Sequence, residues 1–299
     1  MPANPSRRGL MAGALAMSAL PSLARAEGAL AWPLGVQLWS VNAELAKDFD
    51  ATLRGLGEMG FVQVESAGLH GRTPEAFRKA LEAAGLKCES AHAPMEILHA
   101  RTADVIGMAR DTGAAWLVCA SPAPSKALEP GLDWVTAMGR AMTLDGWKRN
   151  ADQLNAVAEQ AAKAGLGVAY HNHPMEFGVY DGVRAYDVLL ERTNPQRVSM
   201  ELDVAWATAG GLDPVAMMKA HPDRFRLLHL KDVKVKPAPG TISADLSTTE
   251  VGRGVIDWSS VLAAARAVGV RAAFVEQEAP YVRPVFDSLA ICRDYLRAL

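Results

Sequence analysis

Four short stretches in the second half of the chain carry the groups best suited to binding a metal or moving a proton. "YHNHPMEF" offers His171, His173 and Glu176 directly after an apolar run at 166–169. Met200-Glu201-Leu202-Asp203 offers two carboxylates two residues apart. Leu228-His229-Leu230-Lys231-Asp232 offers His229 and Lys231, and Phe274-Val275-Glu276-Gln277-Glu278 offers Glu276 and Glu278, at that same spacing. Side chains two apart on a strand share a face, so strands at these places would aim each pair into one common space. Two carboxylates and an imidazole, joined by a further Glu or His, form a mixed nitrogen and oxygen site for one divalent ion, Mn²⁺, Mg²⁺, Zn²⁺ or Fe²⁺. No thiolate takes part, which argues against a structural zinc of the cysteine type. One glutamate at a strand end is usually a solvated rim residue. Four successive strands broken at the same end ask for a shared cause.

The elements that must position these groups are legible in the alternation of short β-rich runs with helical patterns. Strands are predicted at 34–38, 61–65, 86–92, 116–120, 166–171, 198–203, 226–231 and 272–276. Each is followed by helix-period sequence, at 48–59, 74–84, 103–111, 145–163, 183–192, 214–220, 259–268 and 288–299. Thr73 before Pro74 and Asp213 before Pro214 mark helix starts, and Gly60, Gly85, Gly165 and Gly269 follow helix ends. Eight such units predict an α/β fold, a single-domain (β/α)8 TIM barrel over residues 27–299. A doubly wound open sheet would put a glycine-rich phosphate loop after its first strand, and Gly35-Val36-Gln37-Leu38-Trp39 supplies none. Barrel strands are covered on both sides and should be apolar, so an ionisable side chain inside one is costly unless paired or bound to metal. The stretches 121–144 and 233–257 are too long for simple turns and read as loops over the active-site face.

The first four strands end in Gln37, Glu65, His92 and Ser121. Gln37, Glu65 and His92, with His171 and Lys231, are candidates for hydrogen-bonding a substrate, and Trp39 and Trp206 for stacking against a sugar ring. His70, His99 and His221 read as ordinary loop and helix-end residues, and Trp147 and Trp258 as packing.

The 299 residues are 50% hydrophobic and 21% charged, with a formal net charge of −2, so no basic field for nucleic acid is present. Ser6-Arg7-Arg8-Gly9-Leu10, an uncharged stretch at 11–23 and Ala24-Arg25-Ala26 together read as a cleavable signal peptide over residues 1–26. The paired arginines resemble the twin-arginine export signal, which predicts the twin-arginine machinery as a partner and a periplasmic location. The stretch is too short for a stable membrane span. Cys88, Cys119 and Cys292 make no disulfide framework and are expected as small buried hydrophobes.

With these residues assembled, the chain resembles the sugar phosphate isomerase/epimerase family with the xylose isomerase-like TIM barrel. The likeness covers roughly the whole mature chain and is carried by "YHNHPMEF", "ELDVAWATAGG", "LLHLKDV" and "FVEQE" in that order. It implies one divalent ion held from strands five to eight, by Glu176, Asp203, His229 and Glu276. It also implies Glu276 as ligand and base, Glu176 or His173 as the partner acid or base, and Lys231 beside the substrate. Related epimerases carry a glutamate on the fifth strand itself, where this chain has Tyr170 and His171, so His171 or His173 stands as the substitute for Glu176. The His-Asn-His fifth strand is similar to sequences near inosose dehydratases.

The expected function is a divalent-metal-dependent isomerase or epimerase acting on a sugar or keto-sugar through an enediolate. The same site would support a lyase or dehydratase acting on a keto-glycoside or inosose. A non-catalytic periplasmic sugar-binding barrel is a third reading. The DNA-cleaving branch of the superfamily would need more ligands and a basic face.

Overall fold

Eight parallel strands pair in chain order and close on themselves: β1 (Gly35–Gln37), β2 (Gln63–Ser66), β3 (Lys87–Ala93), β4 (Trp116–Cys119), β5 (Gly167–His171), β6 (Val198–Asp203), β7 (Phe225–Leu230) and β8 (Ala272–Val275). The computed structural model describes residues 1, 32–243 and 245–299. The signal peptide expected at 1–26 and the boundary at 27 fall, Met1 apart, outside the described residues. Each strand is followed by a helix: α1 (Phe49–Glu58), α2 (Pro74–Ala83), α3 (Thr102–Thr112), α4 (Leu144–Lys163), α5 (Ala185–Arg192), α6 (Pro214–Ala220), α7 (Trp258–Ala267) and α8 (Val285–Ala298). The eight predicted units are therefore all present, in one closed barrel. No helix among the described residues is long and apolar enough to cross a membrane.

Local chemistry sets the element ends. The Thr73 hydroxyl accepts from Ala76 N at the start of α2, and Asp213 accepts from Val215 N and Ala216 N at the start of α6, each followed by a proline that the first turn tolerates. Gly269 leaves α7 with φ 76°, a conformation that glycine adopts without penalty. The outward faces of the strands, among them Val36, Val64, Tyr170, Met200, Leu228 and Val275, pack with Leu53, Phe77, Leu154, Leu262 and Leu289 of the helices in one apolar layer. Full burial of each such side chain contributes about 1.5–3 kcal/mol. Trp147 and Trp258 belong to this layer, and the three cysteines are free and buried, as expected.

Inside the barrel the floor is a small apolar plug of Val118, Ala169, Leu227, Ala272 and Phe274. A Cβ at Gly35 would come 2.6 Å from Ala273 O and 2.7 Å from Phe274 Cδ1, so β1 can close on β8 only as glycine. The next inward positions towards the C-terminal end carry Gln37, Glu65, His92, His171, Glu201, Asp203, His229 and Glu276, which form a polar layer over the plug.

The long loops hold structure of their own. Residues 121–144 include a helix, Trp134–Ala141, and further short helices occur at Asn42–Lys47, Met95–Ala100 and Val204–Ala209. The helix predicted at 183–192 starts later because Val179–Tyr180 and Val183–Arg184 pair as a hairpin through Asp181 and Gly182, both at positive φ. Asp232 pins the loop after β7. Its carboxylate accepts from Val233 N (2.9 Å), Gly252 N (3.1 Å), Ile256 N (3.2 Å) and Trp258 Nε1 (2.8 Å).

Candidate metal centre

His229 on β7 stands in register with Asp203 of β6 on one side and Phe274 of β8 on the other, so its ring lies between the two carboxylates that end those neighbouring strands. Its Nδ1 is 2.9 Å from Glu276 Oε2 and 3.9 Å from Asp203 Oδ2. His171, last residue of β5, completes the ring: one donor atom each from His171, Asp203, His229 and Glu276 lies within 4.8 Å of every other. Asp203 is fixed by helix capping, since its other oxygen, Oδ1, accepts from Trp206 N at 2.8 Å. Nδ1 of His171 is buried and makes no hydrogen bond, and Oδ2 of Asp203 is buried with an ammonium as its ion-pair partner. Lys231 Nζ stands 2.9 Å from that Asp203 oxygen, 2.8 Å from Glu276 Oε2 and 3.2 Å from Glu278 Oε1. Two imidazoles and two carboxylates, buried and converging, fit a divalent ion of the Zn²⁺, Mn²⁺ or Fe²⁺ type.

A second group of side chains lies beside the first and shares His229 and His171 with it. His92 Nε2 lies 2.8 Å from both Glu65 Oε1 and Glu201 Oε2, and its ring stacks on His229 with centroids 5.4 Å apart. His229 Nε2 is 2.6 Å from Glu65 Oε1, to which Gln37 Nε2 also donates at 2.7 Å. Gln37 and Glu65, expected to meet substrate hydroxyls, are fully buried and engaged with one another and with His229. Of these residues only His92 keeps some exposure, 10% of its side chain. Glu201 shares the inward face with Asp203 two residues on, which is the sequence signal for it. What the sequence does not reveal is that it meets His92, from across the barrel.

Glu176 is not brought to the other three expected ligands. It lies in a single turn of 3₁₀ helix, Pro174–Phe177, with Oε1 accepting from the Tyr170 hydroxyl at 2.7 Å and Oε2 from His173 N at 2.9 Å. Tyr170 points outward from β5 into the helix layer, so the Glu176 carboxylate is directed behind the barrel wall, and the structure places His171 with Asp203, His229 and Glu276 instead. His173 stays near the mouth, its ring edge-on to His171 and 4.8 Å from Trp134, a contact not legible in the sequence. Trp206 is buried rather than presented as a stacking face, with the Lys231 ammonium 4.4 Å from its ring centre. Trp39, 53% exposed, and Trp134, 40% exposed, present open aromatic faces.

Burial alone would raise every carboxyl in this layer. At Glu276 it is overcome by Lys231 and His229, and at Glu65 by His92 and His229, so both carboxyls are held well below the usual range. At Glu201 burial prevails, reinforced by the Glu65 charge, and the group is pushed up to about 7. Asp203 is raised too, burial outweighing the opposing Lys231. His92 goes up to about 9: burial opposes this, but Glu65 and Glu201 dominate. Burial, with the imidazoles of His229 and His173 next, keeps His171 well below its ordinary value. Burial followed by Lys231 pushes His173 down to about 3. His171 and His173 are therefore neutral at pH 7, the form that offers a lone pair.

Known proteins show the same architecture. Over 166 residues the chain is 30% identical to an inosose dehydratase of Geobacillus thermodenitrificans (strain NG80-2), an alignment covering 52% of this chain and 55% of that protein. The chain thus matches about half the length of that curated relative. A crystal structure of a sugar phosphate isomerase/epimerase from Parabacteroides distasonis ATCC 8503 superposes with a TM-score of 0.71 at 23% identity, covering 93% of this chain and 98% of the other. The IOLI protein, whose crystal structure has a bound zinc atom, superposes with a TM-score of 0.62 at 13% identity, covering 88% and 95%. A family profile, the xylose isomerase-like TIM barrel, matches residues 53–295. With the closed barrel and the donor cluster at its mouth, that match establishes that the chain belongs to the xylose isomerase-like TIM barrel family.

Proposed function

We propose that the chain is a divalent-metal-dependent lyase that removes water from a ketonic polyol of the inosose type. The observation that carries this reading is the convergence of single donor atoms from His171, Asp203, His229 and Glu276 within 4.8 Å. The likeness to inosose dehydratases moves dehydration ahead of the isomerase or epimerase reaction expected from the sequence.

When bound, the ion supplies Lewis acidity to a carbonyl oxygen and its neighbouring hydroxyl. The chain's own groups do the rest. His173, neutral and with Nδ1 unengaged, takes the proton α to the carbonyl and returns it to the β-hydroxyl, so that the β carbon–oxygen bond breaks as the carbon–carbon double bond forms and the hydroxyl leaves as water. The Lys231 ammonium, fixed between Asp203 and Glu276, offsets negative charge that builds on the substrate oxygens, and burial strengthens the effect by excluding water. Trp134 at the edge of His173 and Trp39 at the rim offer apolar faces to a ring. Export by the twin-arginine route is part of the proposal, resting on residues 6–26, and suits an unphosphorylated substrate.

The test is incubation of the metal-loaded protein with an inosose and a panel of keto-sugars in D₂O, followed by NMR and mass spectrometry. Metal-dependent loss of one water supports the lyase. Deuterium entering at carbon without loss of water would restore the isomerase or epimerase. Binding with neither change would point to a sugar-binding barrel.

A further inference from the structure

On the lyase reading above, we propose that the buried pair Tyr170 and Glu176 is a bracket behind the barrel wall that positions the His173 ring at the mouth. The chain leaves β5 through His171, Asn172 and His173, and each has a different hold. His171 faces the lumen. The Asn172 side chain continues the pairing with β6 past the strand end, its Oδ1 accepting from Asp203 N at 3.1 Å and its Nδ2 donating to Asp203 O at 3.3 Å. His173 N donates to Glu176 Oε2 at 2.9 Å, and Oε1 of the same carboxyl accepts from the Tyr170 hydroxyl at 2.7 Å. Tyr170 belongs to β5 and packs in the helix layer, so one carboxyl ties the backbone of His173 to the barrel wall.

A carboxyl buried this completely is costly unless its oxygens are satisfied, and both oxygens of Glu176 are used on this one turn. The turn is held on its other sides too. Tyr180 OH donates to Met175 O and to Gly139 O, each at 3.3 Å, and Gly139 belongs to the helix that carries Trp134. Phe177 rests on Gly210, where an added Cβ would lie 2.3 Å from the Phe177 ring. With the backbone so fixed, side-chain rotation is the freedom left to His173. His171 and Trp134 bound it, each with its ring centre 4.8 Å away. A base must stand within hydrogen-bond reach of the proton it takes, and a misplacement of about 1 Å can cost roughly 100-fold in rate. Tyr170 and Glu176 are thus positioning residues, which act through His173 and do not touch substrate.

Two measurements on the full chain test this. In ¹H–¹³C spectra of ¹³C-histidine-labelled protein, the His173 ring signals are identified by their loss in His173→Gln and carry the shift imposed by the Trp134 ring. Glu176→Leu and Tyr170→Phe should move these signals toward the values of a free histidine. Glu176→Gln, whose amide oxygen can still accept from His173 N, should keep them close to wild type. Tyr186→Phe, which removes a buried hydroxyl without a hydrogen bond beside Phe177, is the control for general loosening and should leave them in place. Signals that stay put in Tyr170→Phe, or that move equally in Tyr186→Phe, overturn the proposal, and this comparison needs no Glu176 variant to fold. With an inosose as substrate, kcat should fall by about 10-fold in Tyr170→Phe and roughly 100-fold in Glu176→Leu. KM should stay within about twofold in both, the bound ion should be retained, and Glu176→Gln should recover most of the rate. Loss of the ion from Tyr170→Phe would show that the pair acts on the metal centre instead, which also overturns the proposal. Wild type that does not turn over an inosose defeats the lyase reading alone, and the spectra then decide the bracket by themselves.

Discussion

Lys231 is fully buried among three carboxylates, and its ammonium is the cation that offsets Asp203 and Glu276 when no ion is bound. Removing one partner of a buried charge cluster costs about 3–5 kcal/mol because the others lose their compensation. Lys231→Met should therefore lower the metal-free unfolding free energy by roughly that amount in urea titrations, and added Zn²⁺ should restore more stability to the variant than to wild type. Equal responses to zinc would show that the carboxylates do not share a cation. Glu176 behaves differently. Burial pushes its carboxyl up to about 8 from an ordinary 4.5. Between those values the folded chain holds a proton that the unfolded chain has shed, so stability contributed by this group is complete below pH 4.5 and is lost as pH rises through about 8. The loss amounts to on the order of 3–5 kcal/mol. Glu176→Gln should accordingly gain on wild type as pH goes from 5 to 9, and parallel stability profiles would contradict the assignment. The position of Glu176 away from Asp203, His229 and Glu276 has a physical cause. Alternation along β5 sends His171 inward and Tyr170 outward, and that much is legible. In the turn after it Glu176, three residues beyond His173, reaches back to accept from His173 N. The H-x-x-E spacing is the signal that Glu176 serves its own backbone.

At the scale of elements, what holds the mouth in place is the loop chemistry. Asp232 accepts four N–H groups that tie β7 to the loop at 233–257 and to Trp258 of α7. A side chain at Gly254 would collide with Asp232 Oδ1, so loop and carboxylate fit as a unit. Asp232→Asn, which turns one acceptor into a donor, should cost about 1.5–3 kcal/mol. It should also raise amide exchange across 248–258 before elsewhere, as hydrogen-exchange mass spectrometry would read. Unchanged protection there would mean the loop is held by other contacts. The strands and helices of the barrel were readable because period, cap and glycine signals agree at each of them, from Thr73 and Pro74 to Gly269. The helix Trp134–Ala141 and the Asp181-Gly182 hairpin were missed because short elements inside long loops depend on tertiary partners. For Trp134 that partner is His173, and for the hairpin the contact is Tyr180 OH, which donates to Gly139 O and Met175 O.

For the whole molecule, the barrel stacks a polar layer on an apolar plug, and the polar layer holds carboxylates that lack donors for some of their oxygens: Glu65 Oε2 and Glu201 Oε1. Such a layer is costly when folded without a cation, so metal removal should register globally. An ion at about 100 times its Kd stabilises the folded state by ~2.7 kcal/mol. That corresponds to a rise in melting temperature on the order of 5–10 °C for a domain of this size, reversed by a chelator in scanning calorimetry. No shift would mean that no ion binds the folded state preferentially. The order of the four motif stretches was enough to place the barrel and three of its four converging donors. It could not place Glu65 against His229, a contact made across the lumen between residues 164 apart in the chain. The most direct test of the central claim is metal analysis of the purified protein after dialysis against trace divalent ions, run in parallel on wild type, Asp203→Asn and Glu176→Gln. The account predicts one equivalent per chain in wild type and in Glu176→Gln, and none in Asp203→Asn. An ion retained by Asp203→Asn but lost from Glu176→Gln, or no ion in any of the three, would contradict it.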